Sequence, residues 1–198
     1  MTTYANIKKF DVSLAFEAGV TLPSETELIL AFHTFIQTQR LNDTLIDVSN
    51  YLHVTTGPGI LLIGHKAFRA VRLDQSCRGV SVSGRRLDAE GKRTSLQEHV
   101  VALLEFAKAL EAYFERDLFK AESLTLRLND RRYRLDHDSA QNLLASIDED
   151  LRGLDLEVSK LGLRESDSRE QVAIDVQFRP SKGLAALGAR LNPKDQAA

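Results

Sequence analysis

Polar side chains that could bind a ligand or transfer protons are concentrated between residues 46 and 65. This segment contains Asp47, Tyr51, His53 and His65, together with the turn sequence Gly57-Pro58-Gly59. Histidine titrates near neutral pH and is the commonest general acid or base in enzymes. The segment therefore predicts acid–base chemistry by His53 or His65, with Tyr51 and Asp47 assisting.

The glycines of the same segment allow a second interpretation, in which the loop binds a small anion. Glycines let backbone amides approach a ligand closely, and successive amides can form an anion-binding nest. In this interpretation Gly57 and Gly59 line the site. However, the sequence matches neither the phosphate-binding loop nor the dinucleotide fingerprint, and Pro58 has no amide hydrogen. A tight turn that leads into a buried strand explains the same residues.

A metal centre is a third interpretation. His33, His53, His65 and Asp47 together supply enough ligands for zinc or iron. Their spacing matches no established metal motif. His33 also lies at the flank of the apolar stripe of its helix, where a packed, hydrogen-bonded histidine is the ordinary outcome. The metal site is therefore an alternative, and no cofactor is expected.

Arginines form two clusters in the sequence, and arginine suits bidentate binding of a carboxylate or phosphate. The clusters are Arg78, Arg85 and Arg86, and then Arg127, Arg131, Arg132 and Arg134. Arg131 follows Asn129-Asp130, whose side chains would hold it, so these three residues are the expected anion ligands. The alternation of Arg69, Arg72 and Arg127 with apolar residues favours a plainer view, in which the arginines cover the exposed faces of strands.

The composition limits the classes of function. The 198 residues carry 26 Lys and Arg against 28 Asp and Glu, and a net charge of −2 argues against nucleic-acid binding. The single cysteine, Cys77, excludes an internal disulfide framework and a cysteine-rich zinc site. No apolar run approaches the roughly 20 residues of a membrane-spanning helix, and the N-terminus is unlike a secretory signal. We therefore expect a cytoplasmic protein that contacts no membrane.

Hydrophobic periodicity predicts the elements that must position these residues. Strands are predicted at 8–16, 44–48, 60–63, 67–73, 79–85, 124–128 and 171–178, with 131–135 returning beside 124–128 as a hairpin. Helical spacing and capping boxes predict helices over 24–39, 94–116 and 139–152. The segment 154–163 fits a strand or an extended helix. Strands outnumber helices and often come in pairs, which favours an α+β fold with a mostly antiparallel sheet and about three helices packed on it.

These elements predict a single domain over residues 1–180, followed by a C-terminal tail at 181–198 that is a weak helix or disordered. A site for a small anionic ligand is expected between the His53–His65 loop and the Asn129–Arg131 turn. The rival hypothesis is a non-enzymatic interaction protein, in which the apolar surface of the second helix forms a homodimer interface.

Three stretches of the sequence resemble a family of uncharacterised bacterial proteins of about this length. They are FHTFIQ at 32–37, the segment 46–65 with Tyr51, His53, the Gly-Pro-Gly turn and His65, and Asn129-Asp130-Arg131. The resemblance spans residues 10–135 and implies that the named residues of the last two stretches lie together. The family pattern has Trp at the position of Phe35 and an acidic residue at that of Lys66. It implies no particular reaction.

Overall fold

An eight-stranded antiparallel sheet organises the chain, and this confirms the α+β class predicted from the sequence. The computed structural model describes residues 10–54, 57–73, 78–84, 94–120, 122–128, 137–164, 172–179 and 184–191. The strands are β1 (Phe10–Ala15), β2 (Leu45–Asn50), β3 (Ile60–Gly64), β4 (Ala67–Arg72), β5 (Gly79–Gly84), β6 (Ser123–Leu128), β7 (Val158–Arg164) and β8 (Ala173–Phe178). The helices are α1 (Glu25–Thr38), α2 (Leu96–Phe114), α3 (His137–Gly153) and α4 (Leu184–Leu191). Within these residues, no helix is long and apolar enough to cross a membrane.

The strands are arranged in the order β2-β3-β4-β5-β1-β6-β8-β7, so β2 and β7 form the two edges. The two halves of the chain follow the same plan. Each begins with a strand, β1 or β6, and continues with a helix, α1 or α3. A meander follows, and its last strand, β5 or β8, pairs with the first strand of the same half. The halves meet where β1 pairs with β6.

The four helices lie on one face of the sheet, because the apolar side chains of that face need cover. Cross-strand pairing places Leu62, Val82, Val12 and Leu126 on this face, and all four are buried. The hydrophobic cluster joins them to residues of α1, α2, α3 and α4. The opposite face presents Ser81, Ser13, Thr125 and Asp175 in one row of paired residues. We call it the open face, since none of the described helices covers it.

Two capping boxes fix the starts of α1 and α2, as the sequence predicts. The Ser24 hydroxyl accepts the Glu27 amide at 3.3 Å, and the Glu27 carboxylate accepts the Ser24 amide at 2.7 Å. Ser95 and Glu98 repeat this arrangement, with amide-to-oxygen distances of 3.1 and 2.6 Å. Each box satisfies amides that the first helical turn would otherwise leave unpaired.

The second half of the chain departs from the prediction at β6 and agrees with one of the predicted alternatives at two further segments. Both edges of β6 are occupied, by β1 and β8, so β6 has no free edge for the predicted hairpin with 131–135, which lie outside the described residues. The ambiguous segment 154–163 contributes the strand β7 rather than a helix. The helix α4, predicted as part of a tail, packs against α2 with Leu187 buried.

Arg69, predicted to be exposed, is instead buried beneath the helices. Its side chain is 2% exposed, and it donates a hydrogen bond from NH1 to the Asp43 carboxylate at 2.7 Å. The same carboxylate accepts the amides of Lys66 and Ala67 at 3.0 and 3.2 Å, which ties the segment before β2 to the β3–β4 turn. Burial raises the pKa of Glu105 on α2, although the charge of Arg69 opposes this shift. Arg69 therefore provides the positive charge at the centre of a buried polar cluster.

Candidate functional site on the open face

The Gly57-Pro58-Gly59 loop forms a tight connection between β2 and β3. The Tyr51 amide donates to the Gly59 carbonyl at 2.8 Å, Val54 to Tyr51 at 2.9 Å and Gly57 to Val54 at 2.8 Å. Gly59 has a φ of 83°, and a Cβ there would lie 2.2 Å from the Val71 carbonyl oxygen. Because these amides are already bonded within the loop, the structure favours the turn interpretation of the glycines over an anion-binding nest.

The two candidate catalytic histidines lie at opposite ends of β3. Tyr51 and His53 stay close together, with ring centroids 6.4 Å apart, beside the start of the strand. His65 follows the end of the strand, and its amide donates to the Thr44 carbonyl. Six residues separate Gly59 from His65, which corresponds to about 20 Å of extended chain. His53 and His65 are therefore held beside opposite ends of β3, and a shared site for them stays a prediction.

The four residues of the metal alternative do not come together as a group of ligands in the structure. No group of three or more His, Cys, Asp or Glu side chains within the described ranges could hold a metal ion. His33, His53, His65 and Asp47 all belong to those ranges. His33 is exposed on α1, and Asp47 accepts the amide of the next residue, Val48, at 2.8 Å. The fold places the four side chains on separate elements.

The apolar surface of α2 is also not available as a dimer interface. Its residues face the sheet and the neighbouring helices within the same chain, and they are buried there. The buried apolar residues of α2 are Leu96, Val100, Leu103, Leu104, Phe106, Ala107, Ala109 and Leu110. These side chains form part of the core of the chain and are not exposed for contact with a second copy.

A depression on the open face brings together arginines that are distant in the sequence. It has a volume of about 200 Å³ and lies above β1 and β6. Its lining consists of three arginines, three hydroxyl side chains and three aliphatic residues: Arg78, Arg127, Arg164, Ser13, Ser123, Thr125, Leu14, Ala15 and Leu124. Pockets for drug-sized ligands range from about 300 to 1,000 Å³, so this depression suits a smaller molecule.

Arg164 is held in place by an ion pair with Asp175 on the next strand. Its Nε donates to Asp175 Oδ2 at 2.9 Å, and its NH2 group donates to the other carboxylate oxygen. The Thr125 hydroxyl donates to the same carboxylate at 2.9 Å. Burial by itself would raise the pKa of Asp175, but these hydrogen bonds and the charges of Arg164 and Arg127 together lower it. Asp175 is therefore ionised at neutral pH, and its charge balances that of Arg164.

Arg127 and Arg78 carry positive charges that are not neutralised in this way. Arg127 pairs along the backbone with Asp11 on β1 and Ala173 on β8. Its guanidinium makes no hydrogen bond or ion pair with any residue that the structure describes. The side chain of Arg78 makes none either, while its carbonyl accepts the Phe16 amide. With respect to the described residues, the donors of both guanidinium groups remain available to an anion.

A second depression, of about 430 Å³, lies where α3 meets β7 and is less suited to an anion. Its two arginines, Arg152 and Arg179, are both paired with carboxylates. Arg152 contacts Asp148 at 2.6 Å, and Arg179 contacts Glu157 at 3.2 Å. The charges here are balanced, so size alone does not make this depression the better candidate.

No protein-family profile matches the chain, and a search of curated proteins finds no match either.

Two of the three arginines in the depression belong to the sequence clusters, Arg78 to the first and Arg127 to the second. Arg164 belongs to neither cluster, because it follows the segment 154–163, whose pattern fits either a strand or a helix. The pairing of β1 explains why Arg127 and Arg78 lie near the same depression. Arg127 pairs with Asp11 on β1, and the amide of Phe16, the residue after this strand, donates to the Arg78 carbonyl. The other expected ligands, Asn129, Asp130 and Arg131, lie outside the described residues, as does Cys77.

Proposed function

We propose that this protein binds a small molecule bearing a carboxylate or phosphate group in the open-face depression. The observation that carries the proposal is the Arg127 guanidinium, which lines the depression and has no hydrogen-bond or ion-pair partner among the described residues. A guanidinium presents paired N–H donors that match carboxylate and phosphate oxygens. Arg78 adds a second unneutralised charge at the same depression.

Two of the hydroxyl side chains in the depression have already used their single donor. Ser13 donates to the Thr125 carbonyl at 3.2 Å, and Thr125 donates to Asp175 and accepts from Arg164 at 3.3 Å, so neither hydroxyl hydrogen is available to an anion. Ser123 lies on the rim beside them. Arg164 already has a carboxylate partner and would orient the ligand rather than neutralise it. The proposal concerns binding, and it requires no role for His53 or His65.

The proposal retains the small anionic ligand expected from the sequence and moves its site away from the His53 loop. The depression runs along β6 from Ser123 to Arg127, and the Asn129–Arg131 segment that follows this strand lies outside the described residues. Participation of Arg131 stays a prediction. A contribution from the His53 loop is not part of the proposal, because its amides are bonded internally.

Thermal unfolding with inorganic phosphate and with succinate tests the proposal, using chloride of equal ionic strength as the reference. A ligand that binds only the native state raises the melting temperature as its concentration exceeds the dissociation constant. We expect at least one of the two anions to raise the melting temperature, and isothermal titration calorimetry to detect the same binding.

Arg127→Ala is the diagnostic variant, and Arg179→Ala is the matched control in the second depression. Arg127→Ala should keep the melting temperature of the free protein, since the side chain has no bonded partner among the described residues, and should abolish the response to the anion. Arg179→Ala should keep the response. Equal responses in both variants, or no response of the wild type beyond that to chloride, would refute anion binding at this depression.

A further inference from the structure

The two arginines of the open-face depression that have no ion-pair partner among the described residues lie towards its opposite ends. Arg127 pairs with Asp11 near the start of β1, whereas the Arg78 carbonyl accepts the amide of Phe16, just after the end of β1. Five residues of extended chain lead from Asp11 to Phe16, which corresponds to about 17 Å along the strand. The depression therefore has one unpaired cationic side chain towards each end of β1.

Arg78 and Arg127 also lie on opposite sides of β1. Arg78 precedes β5 and Arg127 belongs to β6, the two neighbours of β1 in the sheet, and two strand spacings amount to about 10 Å. Together with the offset along the strand, this places the two Cα atoms about 19 Å apart. Five covalent bonds join Cα to the central guanidinium carbon, and they span about 6 Å at full extension. Two side chains extended straight towards each other would still leave about 7 Å between the guanidinium carbons.

The strands between these two arginines contribute small, uncharged side chains to the lining. Ser13 and Thr125 pair across β1 and β6, and Ala15 and Ser123 follow towards the Arg78 end. The hydroxyl hydrogens of Ser13 and Thr125 are used within the protein, whereas the Ser123 hydroxyl has no hydrogen-bond partner among the described residues. A ligand lying along the depression would meet hydroxyl and methyl groups in its middle and one free donor near the Arg78 end.

The carboxylates near the depression do not form ion pairs with either of these arginines. Asp175 is paired with Arg164, the third arginine of the lining. Asp11 faces Arg127 in the strand register, but its carboxylate accepts the Ser83 hydroxyl on the other side of β1 and makes no ion pair with Arg127. The described lining therefore holds two positive charges without ion-pair partners, and they are separated along the depression.

We infer that the ligand of this depression is an elongated molecule with an anionic group at each end, such as a dicarboxylate. The inference rests on the proposed anion binding and adds the charge and the length of the ligand. One carboxylate is bound by Arg127, and the other is bound by Arg78 together with the Ser123 hydroxyl. A single compact anion would reach both guanidinium groups only if both side chains were fully extended towards it, whereas two groups joined by a short carbon chain reach them in ordinary rotamers. The volume of about 200 Å³ suits a dicarboxylate the size of glutarate.

Isothermal titration calorimetry at constant ionic strength tests the inference with glutarate, pentanoate and malonate. Pentanoate has the same carbon chain as glutarate but only one carboxylate, and malonate has two carboxylates held close together. Glutarate should bind at least about tenfold more tightly than pentanoate, because its second carboxylate gains charge-assisted hydrogen bonds at Arg78. Malonate should bind less tightly than glutarate, because it carries the same charge but is too short to reach both arginines.

Arg78→Gln is the variant that tests the second end of the ligand, and Arg179→Ala is again the control. Arg78 is exposed and its side chain makes no hydrogen bond or ion pair with the described residues, so Arg78→Gln should leave the melting temperature of the free protein unchanged. In Arg78→Gln, glutarate should bind only as tightly as pentanoate. Pentanoate should bind as it does to the wild type, because Arg127 alone holds its carboxylate. Arg179→Ala should keep the preference for glutarate.

The outcomes of this experiment distinguish the two proposals. Absence of binding by every anion would refute the proposed function and this inference with it. Pentanoate or malonate binding as tightly as glutarate, or glutarate binding that is unchanged in Arg78→Gln, would leave anion binding intact and overturn the inference of a ligand with two charged ends. Tight binding of glutarate that requires both Arg127 and Arg78 supports it.

Discussion

The buried ion pair between Asp43 and Arg69 offers a quantitative test of how the fold is held together. The Asp43 side chain is fully buried, and that of Arg69 is 2% exposed. Besides Arg69, the carboxylate accepts the amides of Lys66 and Ala67, so it joins three donors. Replacing Asp43 with alanine removes all three acceptor contacts and leaves the Arg69 charge without its counterion.

The expected loss of stability is about 4 kcal/mol. Removing one partner of a buried ion pair costs about 3–5 kcal/mol, because the remaining charge is buried and uncompensated. The Ala67 amide is also buried and would lose its acceptor, whereas Lys66 is exposed and its amide can bond to water. Glu105 moderates the loss, since a second carboxylate lies within the electrostatic reach of Arg69. Domains are commonly stable by only about 5–15 kcal/mol, so the effect is large.

Urea denaturation followed by circular dichroism measures this loss. With a slope of about 2 kcal/mol per molar urea, the midpoint should fall by about 2 M. Asp43→Asn is the matched variant, because it keeps the shape and one acceptor oxygen but removes the charge. The double variant Asp43→Leu with Arg69→Met should be more stable than Asp43→Ala, since it leaves no buried charge.

Two results would contradict this reasoning. A loss below about 1 kcal/mol in Asp43→Ala would show that the pair is as weak as an exposed one. Strictly additive effects of single substitutions at Asp43 and Arg69 would show that the two side chains are not coupled, because residues in direct contact are expected to give a measurable interaction energy in a double-mutant cycle.

Two further predictions concern other parts of the molecule. Burial lowers the pKa of His99, whose Nε2 accepts the buried Gly84 amide at 2.7 Å. The free energy of unfolding should therefore be highest above the usual histidine pKa of 6.5 and should fall as the pH drops below it. His99→Gln should flatten this pH dependence, as measured by urea denaturation at several pH values. Gly59→Ala should lower the free energy of unfolding by about 3 kcal/mol or more, because Gly59 has a positive φ and a Cβ there would lie too close to the Val71 carbonyl oxygen. Gly19 has a similar φ but open space around it, so Gly19→Ala should lower the free energy of unfolding by only about 1 kcal/mol in the same assay.

Local patterns in the sequence were sufficient for most of the secondary structure. The boxes at Ser24 and Ser95 predicted where α1 and α2 begin, because capping depends on residues only three positions apart. The pairing of strands was harder to predict from the sequence. The prediction paired β6 with the residues that follow it, whereas its neighbours, β1 and β8, come from distant parts of the chain. Register between distant strands is set by packing of the whole sheet, which local periodicity does not contain.

The same distinction explains the buried polar residues. The alternation in β4 suggested that Arg69 was exposed, because strands with one solvated face place polar residues outward. Arg69 instead shares the covered face with Val71 and Ala67, and it is tolerated there because Asp43 neutralises it. Asp43 lies 26 residues away in a connecting segment. Only the tertiary fold shows that the two side chains meet.

The position of the proposed anion site follows from the way the two halves of the chain join. The first half supplies Arg78 from the start of β5, and the second half supplies Arg127 and Arg164 from β6 and β7. Neither half contains the depression alone, since its floor is formed by β1 and β6, the pair at which the halves meet. The sequence clusters group Arg78 and Arg127 with their chain neighbours, whereas the sheet groups both with Arg164 across this junction. The position of the site therefore depends on strand register rather than on the density of polar residues along the sequence.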